Sequence, residues 1–116
     1  MTIDVMGASW DIVKRSYKDD PIFINCDGYC DPTIKTIVIE VESSGSFADM
    51  AAYLRKVTRH EIVHAFLFEC GLYESSAKAK HWARNEEMVD WIARIGPRIY
   101  KAWLDANAID PEKEKE

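Results

Sequence analysis

Residues 47–70 read FADMAAYLRKVTRHEIVHAFLFEC, a stretch long enough for more than six helical turns. Nothing in this run breaks a helix, and Gly71 stands where a helix of that length would end. Ser46 is placed as its N-cap, with Asp49 three residues later at capping-box spacing, Asp standing in place of Glu or Gln. Apart from His64, the stretch from Ile62 to Phe68 is apolar around its whole circumference, so the helix is expected to be buried.

Before this helix the sequence reads as sheet. Ile3 and Val5 alternate with polar neighbours, Gly7-Ala8-Ser9 offers a turn, and Trp10 and Ile12 alternate again, a hairpin pattern. Residues 22–24 form a short extended piece after Pro21. The stretch from Asn25 to Pro32 is dense in Asp, Gly and Pro and reads as a loop. Residues 34–41, rich in β-branched side chains, form the best strand of the chain. After the long helix, a second is expected from about Trp82 to Ile95, stopped by Gly96-Pro97. A third runs from Arg98 to about Asn107, with Ile99, Trp103 and Leu104 on or near one face. The expected fold class is α+β: a small, mainly antiparallel sheet packed on the long helix, with two further helices behind. One domain spans residues 1–108, and residues 109–116, ending in PEKEKE, form a polar tail expected to fray.

Composition narrows the classes of function. The 116 residues are 47% hydrophobic and carry a net charge of -5. A net negative chain is a poor partner for nucleic acid, which needs clustered Lys and Arg. Lys78, Lys80, His81 and Arg84 read as a solvated helix entry. No apolar run approaches the roughly 18–20 residues that span a bilayer, and the first residues lack the pattern of a signal peptide. A cytoplasmic chain is expected, with no membrane partner and an oligomeric state left open. The three cysteines, Cys26, Cys30 and Cys70, read as free thiols, the first two flanking a DGY turn.

The chemistry lies in His60-Glu61-Ile62-Val63-His64. Residues four apart on a helix point the same way, so both imidazoles can reach one ion at about 2.0–2.1 Å, as zinc requires. Glu61, one step around the helix, is the candidate catalytic carboxylate that takes a proton from zinc-bound water and returns it to the leaving amine. Two histidines and a glutamate have little reason to occupy an apolar helix unless something pairs them.

A catalytic zinc needs a third protein ligand and an open position. Three readings compete. Cys70 stands where an extended HExxHxxGxxH motif puts a third ligand, but Leu67 replaces the helix-breaking Gly. At 1.5 Å per residue Cys70 then lies about 9 Å beyond His64 along the axis. Glu86, in NEEMVDW, shares a stripe with Asp90 four residues on; Glu86 would ligate, and Asp90 would accept the N–H of a ligating histidine. Glu87 is the alternative ligand, but its own fourth neighbour is Trp91, which accepts no hydrogen bond. Glu86 is the favoured choice.

HEIVH followed by NEEMVD resembles the gluzincin metallopeptidases, which carry HExxH on one helix and ExxxD, often preceded by Asn, on the next. The 21 residues between His64 and Glu86 are similar to the spacing in thermolysin-like members. Phage- and prophage-associated minimal metallopeptidases, and more distantly the ImmA/IrrE-like peptidases, are of similar build. The resemblance covers about residues 34–95. It implies a minimal zincin-like fold, one Zn2+, and hydrolysis of peptide bonds in a peptide or protein substrate. One departure stands out. Larger members have a second subdomain that supplies an oxyanion donor, and this chain has no room for it; Tyr73 and His81 are the candidates here. Trp82, Trp91 and Trp103 read as core. Two rival expectations are a catalytically silent zinc-stabilised binding or assembly module of phage origin, and a peptidase made latent by the N-terminal hairpin or the C-terminal tail.

Overall fold

The computed structural model describes residues 1–24, 26–41, 47–72 and 86–114, without the side chains of residues 24, 86, 87, 89, 90 and 93. Among the described residues four strands, β1 (Thr2–Val5), β2 (Ala8–Arg15), β3 (Gly28–Asp31) and β4 (Thr36–Glu40), precede two helices, α1 (Met50–Cys70) and α2 (Glu86–Asp105). The architecture is α+β. The sheet order is β1-β2-β4-β3. The β1–β2 and β3–β4 pairs are antiparallel, and β2–β4 is parallel, so the sheet is mixed and, as expected, mainly antiparallel.

The hairpin pattern holds. Ile3, Val5, Trp10 and Ile12 are buried, and Val5 pairs with Ala8 across a two-residue turn. That turn is Met6-Gly7, one residue earlier than the composition suggests. Both residues have positive φ, 53° and 91°, as the turn type that matches strand twist demands. Asp4 accepts the Gly7 N–H at 2.9 Å. All five residues of β4 are buried, the continuous burial of a central strand covered on its faces.

Two sequence expectations need correction in this half. Residues 21–24 form a single 3-10 turn, not an extended piece. Gly28–Asp31, expected to be loop, is a strand paired with β4, Tyr29 opposite Val38 and Cys30 opposite Ile37. Glycine and aspartate disfavour strands locally, but pairing to a buried neighbour overrides that preference.

Helix α1 begins at Met50, and Asp49, not Ser46, caps it by accepting the Ala52 N–H at 3.0 Å; Ser46 lies outside the described residues. Gly71 ends it with φ 84°, its N–H bonded to the Phe68 carbonyl. The helix is buried along one stripe only. Glu61, Ile62, Ala65 and Phe66 are covered, while His60 is exposed. The final turn is fixed by Glu69, which accepts from Trp10 Nε1 at 2.9 Å and pairs with Lys35. The Lys35 ammonium lies 5.7 Å from the Trp10 ring centroid, a cation–π arrangement.

The two later helices are one. Helix α2 runs unbroken through Gly96-Pro97. A proline in a helix interior costs roughly 3 kcal/mol, whereas burying one large aliphatic side chain returns about 1.5–3 kcal/mol. Ile99 and Ala102 are buried on this helix and Ala106 just past its end, with Trp91, Ile95 and Trp103 packed against the same core. Packing of that face outweighs the lost hydrogen bond. The two tryptophans are core, as expected; Trp82 lies outside the described residues.

The tail is also better anchored than its charges suggest. Asn107, at φ 55°, turns the chain, and Ala108 is buried. Arg59 donates to the Ala108 carbonyl at 3.0 Å and to Glu114 at 2.8 Å, and Arg55 donates to Glu114 at 3.2 Å. Through Glu114 the segment is held against α1 rather than frayed. Among the described residues no helix is long and apolar enough to cross a membrane.

Candidate metal centre

His60 and His64 occupy successive turns of α1, on the side away from its buried stripe. Their Nε2 atoms stand 3.1 Å apart, with ring centroids 4.7 Å apart and planes at 72°. His60 is exposed and His64 half-buried. The separation can be tested against zinc. Two bonds of about 2.0–2.1 Å to nitrogens 3.1 Å apart enclose roughly 95–102°, close to tetrahedral. One nitrogen pair can therefore serve one ion without rotamer change, and exposure leaves further coordination positions open.

Glu61 sits between them in sequence, about 100° around the helix from His60 and about 60° from His64. At 100° per residue it is directed toward the sheet flank, and it is only 7% exposed. There it meets β3. The Cys30 thiol lies 3.1 Å from the Glu61 backbone carbonyl and 3.6 Å from its Oε1. Burial pushes the Cys30 thiol up, and the Glu61 charge and hydrogen bond push it further, so the sulfur keeps its proton and acts as donor. Two residues earlier the strand comes closer still. A Cβ on Gly28 would stand 2.8 Å from Val57 Cγ1 and 3.3 Å from Glu61 Cγ. Only glycine lets the strand lie this near the helix. The start of β3 is held by the Tyr53 hydroxyl, which donates to Asp27 Oδ2 at 2.5 Å; that bond, more than burial, pushes the Tyr53 hydroxyl up.

The other half of the expected centre falls mostly beyond view. Glu86, Glu87 and Asp90 lie on the first turn and a half of α2, with side chains outside the described set. Tyr73 and His81 also lie outside the described residues. Among the described residues no group of three His, Cys, Asp or Glu gathers around one point. Cys70, at the far end of α1, donates to the Leu67 carbonyl at 3.5 Å. All three cysteines are free.

A cavity of about 600 Å³, lined in part by Ile12, Lys14, Ile39, Leu54, Arg55 and Thr58, opens between the sheet and the first half of α1. Arg55 and Thr58 lie on the opposite side of the helix from the histidines by the 100° step, so this space and the imidazole pair are separate features.

Sequence reasoning singled out His60, Glu61 and His64 as candidates but read the strand that packs on Glu61 as loop. The available signal was a glycine and a cysteine two residues apart, alternating like a strand, inside what otherwise resembles a turn. No protein-family model, curated protein or solved structure matches this chain.

Proposed function

We propose that this chain is a zinc-dependent metallopeptidase in which His60 and His64 hold the metal and Glu61 is the general base. The observation that carries the reading is the convergence of the two Nε2 atoms to 3.1 Å, with a carboxylate on the adjoining residue. The proposed third ligand is Glu86, with Glu87 as the alternative and Asp90 as the acceptor that orients a ligating imidazole. Zinc held there would supply Lewis-acid chemistry toward the scissile carbonyl and the attacking water. The chain's own residues do the rest. The imidazoles fix the metal, and Glu61 receives the proton of the attacking water and delivers it to the leaving amine.

The sheet supports an extended substrate. β3 is an edge strand of the described sheet and is packed on the same helix as the histidines. An exposed edge offers unpaired backbone groups to a peptide that adds as a further strand. That arrangement favours a peptide or protein over a compact small molecule.

A second reading keeps the metal without turnover, as a zinc-stabilised binding or assembly module. What favours it is the burial of Glu61 and its engagement by Cys30. For the latent form of the enzyme, position matters. The hairpin β1–β2 lies at the opposite edge of the sheet from β3, and the tail through Glu114 grips Arg55 and Arg59. Those arginines are roughly 100–180° around α1 from the histidines by the 100° step.

Zinc content and hydrolysis of a generic peptide library, measured for the wild type and Glu61→Gln, separate these readings. The enzyme reading expects equal zinc in both and cleavage by the wild type alone. Equal zinc with no cleavage by either sinks it in favour of the silent module. Cleavage that emerges only after trimming a terminus supports latency.

A further inference from the structure

We propose that Cys30 is a positioning residue for Glu61, a weak, uncharged donor on the edge strand that fixes where the carboxylate stands. The inference rests on the peptidase reading, because it concerns the base of that reaction. A carboxylate that is 7% exposed needs a donor, since burying it unpaired is costly. Among the described residues, the donor that reaches its Oε1 is the Cys30 thiol at 3.6 Å, with the same sulfur 3.1 Å from the Glu61 carbonyl. One thiol proton is thus shared between the backbone and the side chain of a single residue. This ties the strand to the helix at the turn that bears His60 and His64.

The identity of the donor fits the task. A Lys or Arg at this place would neutralise the carboxylate with a salt bridge and compete with water for it. A thiol gives a soft hydrogen bond and no charge, so it restrains the side chain without occupying it fully. Gly28 makes the approach possible, because any side chain there would push the strand off Val57 and Glu61. Groups that orient a metal site from outside its first contacts typically account for about 10–100-fold in activity or metal affinity.

The test pairs kinetics with a signal that needs no turnover. Cys30→Val removes the donor and keeps bulk, Cys30→Ala is the second choice if valine does not fold, and Cys30→Ser restores a donor. The expected result is a fall in kcat of about tenfold or more for Val or Ala, with KM and zinc content close to wild type, and recovery with Ser. Independently, the infrared S–H stretch of Cys30, isolated as the difference between wild type and Cys30→Ser, shifts when Glu61 is changed to Ala. An unmoved S–H band overturns the contact. An unchanged kcat in Val and Ala, or a loss that tracks zinc content or folding alone, overturns the positioning role. If the zinc-loaded wild type cleaves nothing while the S–H band does shift, the peptidase reading has failed. The positioning role of Cys30 in catalysis then fails with it, and the thiol–carboxylate contact stands as structure only.

Discussion

The ε nitrogens of His60 and His64 stand 3.1 Å apart on successive turns of α1, within reach of one N–H···N hydrogen bond between neutral rings and also of two bonds to one zinc ion. Their replacement is the most direct test of the site. Either His60→Ala or His64→Ala is expected to reduce bound zinc from about one ion per chain to near zero. In the wild type, free zinc at about 100 times its Kd stabilises the fold by about 2.7 kcal/mol, which raises Tm. Metal analysis and thermal melts with and without zinc check both, and a Tm rise of equal size in the alanine variants contradicts the assignment.

The third ligand is proposed to come from α2. Glu86→Ala is expected to weaken zinc binding far more than Glu87→Ala, and Asp90→Asn is expected to weaken it about 10–100-fold. Competition against a chromogenic chelator ranks the three. A larger loss in Glu87→Ala reverses the roles of the two glutamates.

Gly28→Ala forces a methyl group to 2.8 Å from Val57 Cγ1. Overpacking of this kind costs about 1–3 kcal/mol, and here it also displaces the strand against which Glu61 rests. Urea denaturation is expected to show that loss, with kcat reduced beyond what the unfolded fraction explains. An unchanged midpoint contradicts the close approach of β3 to α1 at Gly28.

Glu114 gives the fold a pH dependence of known sign. The Asp110 backbone N–H first, then Arg59 and Arg55, hold its carboxyl at about 2, below its usual value of 4.5. A carboxyl depressed in the folded state stabilises fully above the unfolded value and loses that contribution as pH falls through the folded one. Stability is therefore expected to decline between about pH 5 and pH 2 in the wild type, and less steeply in Glu114→Gln. At neutral pH that variant should be less stable by about 1 kcal/mol, since its contacts to Arg55 and Arg59 lose their ionic partner. Identical pH profiles for the two proteins would falsify the clamp.

Two glycines predict opposite outcomes for one substitution. Gly71 has φ 84° and no atom within 4 Å of a built Cβ, so Gly71→Ala pays only the conformational penalty, about 1 kcal/mol. Gly96 is helical with the same open space, so Gly96→Ala is expected to add about 0.5–1 kcal/mol. Thermal melts should move in opposite directions.

Much of the frame was legible because local and tertiary preferences agree there. The alternation of Ile3, Val5, Trp10 and Ile12, the β-branched run of β4 and the unbroken stretch ending at Gly71 each carry their own period or stop. The errors fall where a distant partner decides. Gly28-Tyr29-Cys30-Asp31 is turn-like in composition, and only β4 on one side and α1 on the other make it a strand. Gly96-Pro97 has the chemistry of a stop, yet the buried Ile99 and Ala102 hold the helix through it. At the site, the i, i+4 histidines were readable because a helix converts spacing into proximity. Cys30 was not, because its contact with Glu61 spans 31 residues and leaves no periodic trace.

The grip of Glu114 on Arg59 also has a consequence in time. The two residues are 55 apart, and at a synthesis rate of about 5–20 residues per second the interval between them is roughly 3–11 seconds. For that interval Arg55 and Arg59 have been made while their shared carboxylate partner has not. Whatever engages the segment during those seconds meets it before this clamp can form.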